Sequence, residues 1–100
     1  MTIDEFKNSL HDEHPPKEIS PLLLALWYDA KGDWESSHNI AQDIDALEGA
    51  MIHAYLHRKE GDISNADYWY NCAGMKRFNG PLEDEWNTLF QRFLMYPNPF

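Results

Sequence analysis

Apolar residues recur at intervals of three and four along the chain, and no stretch of five alternates cleanly between apolar and polar. This periodicity predicts an all-α fold, because side chains three and four positions apart share one helix face. Pro15-Pro16 ends the first helical segment, and Ser20-Pro21 supplies an N-cap and a first-turn proline for the next. The predicted helices cover about residues 3–11, 21–30, 34–44, 46–59, 63–73 and 81–94, followed by a non-helical tail at 96–100.

Two tight turns of the same sequence separate pairs of these helices. Gly32-Asp33 and Gly61-Asp62 stand 29 residues apart. Each glycine is expected to adopt a positive φ at a helix C-terminus, and each aspartate is expected to cap the helix that follows. The same shift of 29 residues places Ser37 on Ala66. Each copy is therefore a helix, a turn and a second helix, which is an αα-hairpin.

The strings GDWESSHNIAQ and GDISNADYWYNCA resemble the turn and second helix of tetratricopeptide repeats. Ser37, Ala66 and Ala73 match the small residues at which the two helices of such a repeat cross, and Ala66-x-x-Trp69-Tyr70-x-x-Ala73 is similar to the Sel-type subclass. The whole chain also resembles a group of small bacterial helical proteins with strings similar to SHNIAQ and HAYLHRKE. These resemblances imply no activity. They imply one domain over residues 1–100, with hairpins at about 22–44 and 46–75, an N-terminal helix, and a C-terminal capping helix at about 81–95.

The charge of the chain argues against several classes of partner. Seventeen acidic residues face eight basic ones, for a net charge of −9, and the basic residues are scattered. Nucleic-acid binding requires clustered Lys and Arg, so we expect no nucleic-acid partner. No apolar run approaches the ~20 residues of a membrane span, and MTIDEFKNSL lacks the basic start of an export signal. With a single cysteine, no internal disulfide can form, and we expect a cytoplasmic location.

No set of residues for metal-free catalysis is visible, and we lean towards a protein that is not an enzyme. Cys72 has no His or Lys within three positions that would lower the pKa of its thiol. Phosphate loops and the GxSxG and CxxC motifs are absent from the sequence. We expect Asp43, Asp45 and Glu48 to be solvated, and Glu83-Asp84-Glu85 to favour the dipole of the last helix from its first turn.

The histidines carry the clearest candidate chemistry. His53 and His57 stand four residues apart on one helix, so both rings leave the same face and can share a metal ion. The sequence is not HExxH, because Ala54 occupies the place of the glutamate. An antiparallel arrangement of the third and fourth helices would set His38 level with His53, and Glu60 lies one turn beyond His57. The alternative is that these histidines only satisfy hydrogen bonds beside the core. The acidic chain is expected to favour a cation at this place and, without a metal, to raise the pKa of the histidines.

Tryptophan and tyrosine are more numerous than two hairpins can bury, at positions Trp27, Tyr28, Trp34, Tyr55, Tyr68, Trp69 and Tyr70. We expect some of them to form a patch that a partner or a second copy covers, as in a homodimer. The 29-residue shift makes Tyr28 equivalent to His57.

The first functional hypothesis is a small cytoplasmic module or scaffold that binds a protein or peptide through Tyr28, Trp34, His38, His53 and His57, without a cofactor. The alternative is a domain that binds a small ligand or a divalent metal such as zinc. Its metal ligands would be His53, His57, His38 and Glu60.

Overall fold

The computed structural model describes residues 1–95, and the regular elements in that range are all helices. They are α1 (Ile3–Ser9), α2 (Pro21–Ala30), α3 (Trp34–Gln42), α4 (Leu47–Lys59), α5 (Ile63–Cys72) and α6 (Leu82–Met95). The prediction of a single all-α domain is confirmed. A radius of gyration of 12.6 Å is consistent with one domain, since about 13 Å is typical of 100 folded residues. The tail predicted to be non-helical, 96–100, lies outside the described residues.

The helix ends follow the sequence signals. Ser20 caps α2 by accepting a hydrogen bond from the backbone of Leu23. Asp33 and Asp62 cap α3 and α5 in the same way. The glycines that precede them have φ of 85° and 89°, a conformation that L-residues with a side chain rarely adopt. The two Gly-Asp turns therefore have the predicted local structure.

Two helical hairpins form the body of the domain. α2 packs on α3, α4 packs on α5, and α3 also packs on α4. The hydroxyl of Ser37 is fully buried and donates to the carbonyl of Ala25 at 2.7 Å, where α3 meets α2. In the second hairpin, Ala54 and Ala66 are fully buried in the same cluster. Small residues thus lie inside both hairpins, while the assignment of the hairpins to tetratricopeptide-like repeats stays a prediction.

The core is centred on α4, which contacts α2, α3, α5 and α6. Ten consecutive residues of α4, 48–57, are buried. α6 contributes the buried residues Trp86, Leu89, Phe90 and Phe93. Two residues that the periodicity would turn inward are exposed: Leu47 by 56% and Ile63 by 38%. Each is the first residue of its helix, outside the packed middle turns.

The carboxylates of Glu48 and Glu85 are buried. The expectation that Glu48 is solvated was wrong, whereas Glu85 lies in the first turn of α6 as predicted. Glu48 bonds Arg92 of α6, and Glu85 bonds Arg58 of α4 at 2.8 Å. The Tyr70 hydroxyl of α5 also donates to Glu85. Each carboxylate is buried because an arginine distant in sequence comes to lie against it, and burial of a charge requires such a partner.

Candidate functional site

A groove of about 1,060 Å³ lies between α3, α4 and α5. One wall comes from α3 and the loop after it, the floor from α4, and the other wall from α5. The groove is lined by His38, Ala41, Gln42, Ile44, Asp45, Ala46, Leu47, Gly49, Ala50, His53, His57, Asn65, Trp69 and Cys72. Three of the five histidines of the chain therefore lie in one concave surface.

His38, His53 and His57 form a cluster in this groove, hereafter the histidine cluster. Nε2 of His38 lies 3.0 Å from Nε2 of His53, and one nitrogen from each of the three rings lies within 4.8 Å of the other two. The rings of His53 and His57 leave the same helix face, as expected for positions i and i+4, and they are parallel within 2°. His38 stands at 78° to both. The predicted convergence of the three rings is confirmed.

Two tryptophans hold two of these rings by stacking. Trp69 of α5 lies against His53 with ring centroids 4.0 Å apart, and Trp34 lies against His38 at 4.8 Å. The indole of Trp34 is itself held, since its Nε1 donates to the carbonyl of Leu56 at 2.9 Å. Trp34, a predicted ligand-binding residue, thus positions His38. The stacking of Trp69 was not predicted, although Trp69 lies eight residues after Gly61 on the predicted inward face of its helix.

Glu60 contacts the histidine cluster through His57. Its Oε2 lies 2.6 Å from Nδ1 of His57, and the group of three mutually close ring nitrogens does not include it. Asp62 is close to this pair, and the amide nitrogen of Asn65 lies 3.4 Å from Nε2 of His57. Glu60 was predicted as a further, weaker metal ligand one turn beyond His57, and this stays a prediction. Its contact with Nδ1 of His57 is also the position from which an outer carboxylate orients an imidazole.

Burial disfavours the charged forms of His38 and His53. Desolvation, with repulsion from His38 and His57, lowers the pKa of His53 to about 4. Desolvation and repulsion from His57 also lower the pKa of His38, and Glu60 opposes this only in part. The expectation of a raised pKa was therefore wrong for His38 and His53. The acidic residues that give the chain its charge are mostly in solvent, where water screens them, whereas the rings lose their own hydration.

Tyr28 and the other Trp and Tyr residues singled out in the sequence differ in their location and exposure. Tyr28 is half-buried, lies edge-on to Trp27 at 5.3 Å, and is not among the residues that line the groove. Of the seven aromatic residues considered above, Trp27, Tyr55 and Tyr70 are buried and Tyr68 is 60% exposed. Self-association through an aromatic patch stays a prediction.

Cys72 is exposed and lines the groove, which the sequence reasoning missed. The signal was available, because Cys72 follows Trp69 by three residues and so lies on the same helix face.

Comparison with known proteins adds no assignment: no family model, no curated protein and no solved structure matches this chain. Among the helices of residues 1–95, none has the length and apolar character needed to cross a membrane.

Proposed function

We propose that the protein is a binding module that receives a peptide segment of a partner protein in the groove between α3, α4 and α5. The observation that carries the proposal is the size of the groove on so short a chain. At about 1,060 Å³ it slightly exceeds the usual range for small-molecule sites, about 300–1,000 Å³. A length of several residues of an extended or helical peptide suits such a volume.

The lining of the groove offers the two kinds of contact that peptides use. Leu47 is an exposed leucine that lines the groove, next to the half-buried Ile44. These side chains provide an apolar surface for one anchoring side chain of the partner. Gln42 and Asn65 carry side-chain amides, which can both donate to and accept from a peptide backbone.

The charge of the groove and of the whole chain indicates which kind of peptide would bind. Asp45 lines the groove, and within residues 1–95 no Lys or Arg does. The chain as a whole carries −9. A field of this sign attracts cationic segments and accelerates their association. The proposed ligand is therefore a segment with one apolar anchor flanked by Lys or Arg.

The test is a selection from a displayed library of random peptides, followed by calorimetric titration of the selected peptides. We expect enrichment of sequences with an apolar residue next to basic residues. Asp45→Lys and Leu47→Asp should each weaken binding of a selected peptide at least tenfold, with helical circular dichroism unchanged. Glu13→Lys makes the same charge change at an exposed position outside the groove and should weaken binding much less. Peptides that bind both groove variants as tightly as the wild type would overturn the proposal.

A further inference from the structure

We infer that the histidine cluster is a binding site for one divalent transition-metal ion such as zinc, held by ring nitrogens of His38, His53 and His57. This inference does not depend on a peptide ligand. It rests on four features of the described residues: the spacing of the nitrogens, the support of the rings, the outer partner of His57, and the type of donor atom.

The spacing of the nitrogens is close to what zinc requires. Zinc binds histidine nitrogen at about 2.0–2.1 Å in tetrahedral geometry, which puts two such nitrogens about 3.4 Å apart. His38 and His53 have their Nε2 atoms 3.0 Å apart, and the three donor nitrogens lie within 4.8 Å of one another. Small side-chain rotations, without movement of a helix, would bring the three nitrogens to the coordination distance.

The rings are held in place before any ion arrives. His53 and His57 are buried residues of α4, and His38 comes from α3, which packs on α4. Stacking on Trp34 and Trp69 restricts the rotation of two of the rings. A site with preoriented ligands loses little conformational entropy on binding, because the side chains have already given up their freedom.

His57 also has the outer partner that metal-binding histidines usually have. Glu60 accepts from Nδ1 of His57 at 2.6 Å, which fixes the hydrogen on Nδ1 and leaves the lone pair on Nε2. The Asn65 amide is 3.4 Å from that Nε2, at the long limit for a hydrogen bond. An ion would therefore displace only a weak contact.

The donor type selects the class of ion. Three uncharged imidazoles suit zinc, copper, nickel and cobalt, whereas magnesium and calcium prefer oxygen ligands. The chain supplies three close donors from its described residues. A fourth coordination position would be left for water or for a group carried by a molecule in the groove, as in three-histidine zinc sites.

The first experiment is calorimetric titration of the metal-free protein, purified without a histidine tag, with zinc chloride and separately with magnesium chloride. We expect one zinc ion per chain and no response to magnesium. His38→Phe keeps an aromatic ring against Trp34 but removes a ligand, and should abolish binding or weaken it more than 100-fold. Glu60→Gln should weaken binding by about 10–100-fold, the usual effect of removing an outer partner.

His11→Gln is the matched control, because His11 is an exposed histidine outside the cluster. It should leave the zinc affinity unchanged. Circular dichroism verifies that each variant is folded. A second readout needs no variant: NMR follows the histidine ring signals of the wild-type protein during zinc titration. Only the rings of His38, His53 and His57 should shift strongly.

Two results would overturn the inference. One is the absence of zinc binding at 100-fold molar excess, or binding that His38→Phe leaves unchanged. The other would come from a titration with cobalt, which reports the ligand set. We expect the visible absorption of a tetrahedral cobalt ion with nitrogen ligands. A thiolate-to-cobalt absorption that disappears in Cys72→Ser would show that the three histidines are not the set. The two proposals can fail separately. Zinc binding by a protein that selects no peptides would support this inference alone, and peptide binding by a protein that binds no zinc would support the proposed function alone.

Discussion

Single residues in this protein take their roles from the groups packed against them. Gly49, in the first half of α4, shows this most directly. A Cβ built on Gly49 would lie 2.5 Å from the carbonyl oxygen of Ile44 and 3.0 Å from its Cβ. Glycine is required here because the end of α3 and the loop after it lie directly against α4. This close approach forms one end of the groove.

The first prediction concerns Gly49→Ala. In an exposed helix interior this change would stabilise the fold by about 1 kcal/mol. Here the added methyl meets backbone that cannot move alone, so we expect a loss of about 1–3 kcal/mol in the free energy of unfolding. Urea unfolding followed by circular dichroism measures the change. Asn39→Ala, on the exposed face of α3, is the control and should stay within about 0.5 kcal/mol. A stabilised Gly49→Ala variant would show that α3 and α4 lie further apart.

At the scale of elements, one buried carboxylate connects three helices. Glu85 of α6 is 3% exposed, is paired with Arg58 of α4, and accepts from the hydroxyl of Tyr70 of α5. Desolvation raises the pKa of Glu85, although the bonds from Tyr70 and Arg58 oppose the shift. The same carboxylate contributes to the raised pKa of nearby Tyr55. Burial thus outweighs the ion pair at this junction.

A pH dependence follows from the raised pKa of Glu85. The folded state retains the proton to a higher pH than the unfolded state, so the stabilisation is complete below the ordinary pKa of 4.5 and is lost as the pH rises through the folded value. Glu85→Gln cannot ionise. The free energy of unfolding of the wild type minus that of Glu85→Gln should therefore decrease as the pH rises from 4.5 to 7. Urea unfolding at four pH values measures it, with the exposed Glu83→Gln as a control that should give a flat difference. An increase would show that the pairing with Arg58 outweighs desolvation.

For the whole molecule, α6 completes the core that the two hairpins leave open. Phe90 of α6 is fully buried and contacts Phe6 of α1 and Trp86, with ring centroids 4.9 and 5.9 Å away. Two αα-hairpins alone are fewer than the three repeats that an array usually needs. The terminal helices supply buried surface in addition to that of the two hairpins.

The third prediction follows from the completion of the core by α6. Phe90→Ala should lower the free energy of unfolding by about 3–5 kcal/mol, a large part of the 5–15 kcal/mol that is usual for a domain. Thermal and urea unfolding measure the loss. Gln91→Ala changes the exposed neighbour on the same helix and should have little effect. A loss below about 1 kcal/mol for Phe90→Ala would mean that the hairpins hold the core without α6.

The sequence by itself determined the features that depend on neighbouring residues along the chain. Three such features follow from local geometry: the capping at Ser20-Pro21, the two Gly-Asp turns, and the shared helix face of His53 and His57. These three features are insensitive to the rest of the fold. The height of His38 relative to His53 could also be predicted, because two helices joined by a short connection place residues equidistant from it at the same height. The side on which His38 lies could not be predicted in this way, and the packing of α3 on α4 decided it.

Only the tertiary structure decided which groups lose water and which partner each one meets. Four features belong to this class: the burial of Glu48 and Glu85, the lowered pKa of His53, the contact of Glu60 with Nδ1 of His57, and the absence of Tyr28 from the lining of the groove. The physical reason is that desolvation and pairing depend on side chains brought together from separate helices. Periodicity indicates which face of a helix is buried, but not which side chain of another helix lies against it.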